Sequence, residues 1–372
     1  MTTANAAATL RLAPRIRPQP RGRYDALVFI GRFRPFHLGH KRVVDRALSL
    51  GETVIMLIGS ANTSPSVRNP FSHEDVVAMI SAVYPEETGP GGRLILMPLE
   101  DHLYNDTLWL ERSQALIGDI LNKLPGNTPR VTLHGWADFK IALIGCHKDN
   151  SSYYLKLFPS WASEAVEFLD PINATDIRQA YFGAGTVPRH LLPDAVADWL
   201  EGWKSGMAYD HIKAEADFVA RYRSQFAGQK YAPSFNCADA VVSQSGHVLL
   251  VRRKAMPGKG QLALPGGFIQ EDETALDAAI RELKEETRLK LPRELLTGSV
   301  AATRTFDNPF RSTRGRTYSH AFHFRLPDRP DLPIVKGGDD AAEAFWRPIG
   351  LINPKDMFED HWHIINHFMS AK

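Results

Sequence analysis

Cysteine is nearly missing from this chain: Cys146 and Cys237 are the only two in 372 residues, and they lie far apart at no metal-ligand spacing. That excludes a disulfide framework and a cysteine-built zinc module, and points to a reducing, cytoplasmic setting. Net charge is scarce as well. Lys and Arg number 44 against 42 Asp and Glu, so the basic excess of a general nucleic-acid binder is lacking. No apolar run approaches the roughly 20 residues that span a bilayer. The reading is therefore no nucleic-acid partner and no membrane. Acid is missing altogether from residues 1–23, which carry Arg11, Arg15, Arg17, Arg21 and Arg23. Pro14, Pro18 and Pro20 spoil an amphipathic targeting helix there, which predicts a disordered basic arm.

The rest is ordinary in composition and long enough for two domains, expected at 24–228 and 233–372. A short linker at 227–232, AGQKYA, lets them pack together. Apolar runs at 26–30, 53–58, 94–97, 131–133 and 165–169 alternate with helical periodicity at 38–50, 73–84 and 107–123. That alternation predicts an α/β fold with a parallel sheet covered on both faces, and ligands beyond the carboxyl ends of its strands. Two amphipathic helices, at 191–203 and 212–226, are expected to close this domain.

The loop after the first strand, GRFRPFHLGH at 31–40, is such a place. Gly31 lets the backbone leave the strand, Pro35 fixes the loop, and His37 and His40 bracket Gly39 where a helix begins. A helix N-terminus offers unpaired N–H groups to a phosphate, and Arg32 with two imidazoles adds donors for charge that develops during reaction.

GRFRPFHLGH resembles the HxGH motif of nucleotidyltransferases built on a Rossmann-like fold, and is most similar to nicotinamide mononucleotide (NMN) adenylyltransferases. The resemblance implies ATP and NMN as substrates, His37 and His40 on the ATP phosphates, and Gly31, Arg32 and Phe33 bordering the site. The segment 59–71, GSANTSPSVRNPF, would add Arg68 and Asn69. The segment 145–161, GCHKDNSSYYLKLFPSW, would bring Lys148 and Asp149 to a phosphate or ribose, and Trp161 or Tyr153 to the pyridine ring. INATDIR at 172–178 is similar to the family's second signature, ISxTxxR, with Asn173 in place of Ser. Thr175 would cap its helix, and Arg178 would grip the β- and γ-phosphates with its planar fork.

Beyond Pro233 the pattern changes to short strands, at 238–242, 248–252, 300–306 and 318–324, around one long helix at 274–287. Glu282, Glu285 and Glu286 crowd one face of that helix, a spacing that destabilises it unless a cation gathers them. Hard oxygen donors suit Mg²⁺, or Mn²⁺ in its place. The string 267–289 matches the Nudix box at Gly267, Glu273, Arg281, Glu282, Leu283, Glu285, Glu286 and Leu289. Arg288 stands where the box has glycine, which puts a left-handed helix end at a cost of about 1–2 kcal/mol. Arg281 is expected to pair with Glu273 rather than touch substrate.

The Nudix resemblance implies an α+β domain that cleaves ADP-ribose to AMP and ribose 5-phosphate, with Glu285 and Glu286 catalytic as well as metal-bound. The segment 303–322, TRTFDNPFRSTRGRTYSHAF, is similar to a loop of Nudix enzymes acting on ADP-ribose. Arg304, Arg311, Arg314 and Arg316 would hold the diphosphate, Phe306 or Phe310 would stack on adenine, and Asp340 or Glu343 would polarise the attacking water. The domain order is similar to bifunctional NMN adenylyltransferase/Nudix proteins. Two alternatives stand beside it: transfer to another acceptor phosphate such as FMN or phosphopantetheine, and a Nudix half that senses ADP-ribose without hydrolysing it. A homo-oligomer is left open.

Overall fold

Strand β1 (Tyr24–Gly31) carries an unbroken apolar run at 26–30 with both faces covered. Leu27 and Phe29 join one core with residues of α1 (Leu38–Leu50), α2 (His73–Val83) and α6 (Asp194–Trp203). Ala26, Val28 and Ile30 join a second core beneath α4 (Asp106–Asn122). In β2 (Gly51–Ile58), Val54, Met56 and Ile58 face the first core, Ile55 and Leu57 the second. Alternation with both sets buried is how an interior parallel strand reads. With β3 (Leu94–Pro98), β4 (Ile141–Gly145) and β5 (Ala162–Ala165) these form a parallel five-stranded sheet of order β3-β2-β1-β4-β5. The order reverses between β1 and β4, which opens a crevice at their carboxyl ends. Helices α3 (Pro85–Thr88), α5 (Ala174–Gln179) and α7 (Met207–Ser224) complete this half.

The computed structural model describes residues 22–124, 139–145, 157–167 and 172–370. The basic arm but for its last two residues, the apolar run at 131–133, and Lys148, Asp149 and Tyr153 lie outside the described residues. One strand expectation needs correction, and one strand has no counterpart among the expected runs. Strand β5 precedes the apolar run at 165–169, because an edge strand half in solvent needs no apolar run and reads ASEA. Strand β4 escapes the alternation because no helical repeat separates it from the run at 131–133. Helices α1, α2 and α4 lie within a residue of expectation, whereas α7 begins five residues before its apolar repeat.

In the second half, β6 (Ser234–Gln244), β7 (His247–Arg253), β8 (Leu262–Ala263), β9 (Gly266–Phe268), β10 (Val300–Phe306), β11 (Arg316–Arg325) and β12 (Ala341–Pro348) make one mixed sheet. Helix α8 (Ala275–Thr287) buries Ala279, Ile280 and Leu283 on one face. Helix α10 (His361–Ser370) buries Ile364, Ile365 and Phe368 on the other, and α9 (Arg293–Gly298) packs by Leu296. The segment 338–346, GDDAAEAFW, which carries Asp340 and Glu343, is largely strand β12 paired with β7.

The halves are bolted together. Buried Glu215 of α7 accepts from the N–H of Val67 at 3.1 Å and of Gly258 at 3.2 Å, so one carboxylate ties a loop of each half. Gln261 donates to the Pro65 carbonyl at 3.0 Å, Arg223 to the Thr313 carbonyl at 2.9 Å, and Ser64 to the Met357 carbonyl. Among the described residues no helix is long and apolar enough to cross a membrane.

Candidate active sites

The first site grows from the turn after β1. His37 caps α1, and its Nδ1 accepts the His40 N–H at 3.3 Å while His40 Nδ1 accepts the His37 N–H at 3.3 Å. The two rings stack at 3.6 Å. This is a capping box made from imidazoles instead of the usual hydroxyl and carboxylate. Because each Nδ1 accepts, each neutral ring carries its proton on Nε2, as a donor. Gly39 makes room: a Cβ there would come within 3.0 Å of the His37 ring. Arg34 is buried and ties this turn to the segment between β2 and α2, donating to the carbonyls of Phe71 at 2.7 Å and Gly59 at 2.9 Å.

A cavity of about 600 Å³ opens at this turn, and its wall includes Gly31, Arg32, His37, His40, Arg68 and Asn69. Arg32 reaches Asn69 Oδ1 at 3.4 Å. Burial lowers the pKa of Arg32, and pushes those of Arg34 and Arg68 down to about 10 and of Arg178 to about 9. Mutual repulsion adds to the last three: Arg32 acts on each of them, and Arg68 and Arg34 act on Arg178 as well. Desolvated cations that repel one another around a cavity favour a polyanion between them.

Phe33 is 1% exposed, lines the cavity, and props His40 with its ring edge-on at 5.0 Å. Other expected residues stand differently. Asn173, not Thr175, caps α5, since its Oδ1 accepts the Thr175 N–H at 3.0 Å and leaves the Thr175 hydroxyl to Arg178 at 3.2 Å. Arg178 is buried behind the cavity wall, donating to the Arg34 carbonyl at 2.7 Å, so it braces the histidine loop from behind. Trp161 stacks on Phe158 at 4.7 Å, away from the cavity, while Trp109 lines it.

The second site is built on α8. Thr274 caps the helix in a capping box with Asp277, and Arg281 donates to both oxygens of Glu273 at 2.7 and 3.0 Å. The same guanidinium reaches Glu282 at 2.8 Å and Glu285 at 3.0 Å. Glu286 is buried, accepts the Gly266 N–H at 3.1 Å, and is pushed up to about 8 by burial, with Glu282 adding repulsion. Among the described residues no three acidic, histidine or cysteine side chains form a ready cage. The reason is that Arg281 holds two of the three carboxylates. A buried carboxyl with a raised pKa beside two others gathered by one cation is still a donor set that fits a hard divalent ion. Gly267 serves this packing, since a Cβ there would meet the Glu282 carboxylate at 2.3 Å. Arg288 keeps the left-handed helix end, with φ 53° and ψ 24°.

The arginine-rich loop divides. Phe306 is fully buried against Tyr104 and Phe368, so it stacks in the core and not on adenine. Phe310 lines the cavity of the first site against Arg68, so it is not assigned to the adenine of ADP-ribose either. Arg304 is held by His367 at 2.8 Å, and Arg311 is buried in a two-bonded pair with Asp360 at 2.8 and 2.9 Å. Those two are occupied by structure. Arg314 lies over Phe268 at 5.3 Å, beside the Nudix turn, and Arg316 over Tyr318 at 4.7 Å with Asp307 at 3.9 Å. Glu343 pairs with Arg252 on the outer side of β12, whereas Asp340 and Glu286 both act on Arg253.

Sequence reasoning missed Ser60 and Asp101, whose carboxylate accepts the Ser60 hydroxyl at 2.6 Å on the cavity wall. The signal was there: Asp101 follows the carboxyl end of β3, the edge at which the histidine turn lies. It also missed Asn308 and Glu359, contributed to the same cavity from the second half.

A histidine-capped helix at the switch point of a parallel sheet, joined to a Nudix helix on a mixed sheet, defines a two-headed nucleotide-processing enzyme. Comparison with known proteins bears on which one. The sequence matches the Cytidylyltransferase-like family over residues 28–91 and the NUDIX domain over residues 231–368. It is 32% identical to a nicotinamide/nicotinic acid mononucleotide adenylyltransferase of Acinetobacter baylyi, over 55% of this chain and 96% of that one. It is 36% identical to an ADP-ribose pyrophosphatase of Methanocaldococcus jannaschii, over 36% of this chain and 72% of that one. A bifunctional NMN adenylyltransferase/ADP ribose pyrophosphatase from Francisella tularensis superposes with a TM-score of 0.84 at 34% identity, covering 94% of this chain and 99% of that one. A second crystal structure of such a protein from that organism, complexed with AMP and Mn ion, gives a TM-score of 0.82. The chain belongs to the family of bifunctional NMN adenylyltransferase/ADP-ribose pyrophosphatases.

Proposed function

We propose that this chain joins NMN and ATP into NAD⁺ and pyrophosphate at the first site, and hydrolyses ADP-ribose to AMP and ribose 5-phosphate at the second. The division runs 24–228 and 233–372. The observation that carries the reading is the imidazole pair that caps α1 through both Nδ1 atoms and lines one cavity with the desolvated Arg32 and Arg68.

At the first site an NMN phosphate oxygen attacks the α-phosphorus of ATP, and the bond from that phosphorus to the bridging oxygen breaks, releasing pyrophosphate. No enzyme nucleophile is needed; positioning and charge stabilisation suffice. His37 and His40 donate from Nε2 to phosphate oxygens, Arg32, Arg68 and Asn69 hold phosphates across the cavity, and Arg178 and Thr175 brace the loop behind them. Trp109, which lines the cavity, is better placed than Trp161 to stack on the pyridine ring.

At the second site a water oxygen attacks one phosphorus of ADP-ribose and the P–O–P bridge breaks. The water's protons pass to a carboxylate of the site and to the leaving phosphate. Arg314 and Arg316 remain for the diphosphate, and Asp340 is the better placed of the two late acids to orient water. Glu282, Glu285 and Glu286 would hold a divalent cation, Mg²⁺ or Mn²⁺, whose chemistry is to offset phosphate charge and acidify water. A cytoplasmic setting suits the free, buried thiol of Cys237.

The test is product identification. Purified protein with Mg²⁺, ATP and NMN should yield NAD⁺ and pyrophosphate, and with Mg²⁺ and ADP-ribose should yield AMP and ribose 5-phosphate. Adenylylation of FMN or phosphopantetheine in preference to NMN would defeat the first assignment, and binding of ADP-ribose without turnover the second.

A further inference from the structure

Arg68 belongs to the first half, yet what holds it belongs to the second. Its Nη1 donates to the Phe310 carbonyl at 2.9 Å, and its guanidinium lies 4.4 Å from the Phe310 ring centroid. Phe310 is 65% exposed, an unusual state for so large an apolar ring, and it lines the same cavity as His37, His40 and Arg32.

The placement has an electrostatic reason. Arg68 is disfavoured as a cation where it stands, by burial first and by Arg32 second. A long, flexible side chain so placed would swing toward water unless something fixed it. An aromatic face and a carbonyl oxygen both attract a guanidinium, and both come from Phe310.

The support is itself anchored. The Phe310 N–H donates to Asn308 Oδ1 at 2.9 Å, and the next residue, Arg311, is locked to Asp360, which accepts the Tyr104 hydroxyl at 2.6 Å. Tyr104 follows β3 in the first half. The Phe310 loop is therefore fastened to the half whose arginine it steadies.

We propose that Phe310 is a positioning residue of the adenylyltransferase site, contributed by the Nudix half: it holds Arg68 in place to meet a phosphate of a bound nucleotide. The inference rests on the adenylyl-transfer reading above and deepens it. It makes the second half a working part of the first site while the two chemistries stay separate.

The experiment uses the full chain with Phe310→Ala, Phe310→Leu and Phe310→Tyr, measured for kcat and KM toward ATP and NMN and for ADP-ribose hydrolysis. Ala and Leu are expected to raise the KM for one nucleotide about three- to tenfold with kcat changed less, and Tyr, which keeps the ring face, to restore it. ADP-ribose hydrolysis should stay at the wild-type rate, which also reports that the loop's own domain is folded. Unchanged KM values in Phe310→Ala overturn the proposal. So does an equal loss in Leu and Tyr, or a parallel loss of both activities, because each describes a merely structural role. A wild-type chain that makes no dinucleotide overturns the adenylyl-transfer reading itself, and this inference with it.

Discussion

Tyr104 and Asp360 meet across the two halves of the chain, the phenol donating to Oδ2 at 2.6 Å while both carboxylate oxygens also accept from Arg311. Asp360 is 1% exposed. Burial opposes its ionisation, but Arg311 and the Tyr104 hydroxyl overcome it and hold the carboxyl below its ordinary value. Asp360→Asn leaves a guanidinium buried without its counter-charge, and should destabilise the protein by about 3–5 kcal/mol in denaturant unfolding.

The same clasp sets an acid limit. With its folded pKa depressed, Asp360 contributes stability that is fully present above the unfolded carboxylate value near 4. That contribution is lost as pH falls through the lower folded value. Unfolding free energy measured from pH 6 downward should fall more steeply in the wild type than in Asp360→Asn, and parallel curves would remove the clasp from the account.

Arg288 offers the opposite sign. It sits in the left-handed region at the end of α8, where its Cβ costs about 1–2 kcal/mol and glycine would cost little. Glycine loses more entropy on folding, which offsets part of the gain. Arg288→Gly should raise the melting temperature by a few degrees, with ADP-ribose turnover unchanged, as read by thermal unfolding and by quantifying the AMP formed.

Arg178 tests whether bracing matters at the first site. Arg178→Lys keeps charge but loses the fork that spans the Arg34 carbonyl and Thr175. NAD⁺ synthesis should drop about 10- to 100-fold, an effect of geometry, while ADP-ribose hydrolysis holds. Wild-type synthesis in this variant would show that the histidine loop stands without its brace.

What could be read from the sequence was what is local. The apolar runs of β1 and β2 announce strands buried on both faces, HLGH announces a capped helix at a strand end, and the Nudix box carries its carboxylates on one helical turn after another. What could not be read depends on partners distant along the chain. Arg304 and Arg311 are indistinguishable in sequence from Arg314, yet the fold gives them His367 and Asp360. Phe306 ends β10 and Phe310 lies four residues on in the loop that follows, and the packing of Tyr104 against Phe306 separates core from cavity. Strand β5 is legible from no apolar signal, because it is an edge.

The central claim is two chemically separate sites in one chain, and a pair of reciprocal variants tests it most directly. His40→Ala and Glu286→Gln are each assayed for NAD⁺ synthesis and for ADP-ribose hydrolysis in the folded full-length protein. The account predicts that His40→Ala loses synthesis by about 100-fold or more and keeps hydrolysis, and that Glu286→Gln does the reverse. Loss of both activities in either folded variant would contradict it.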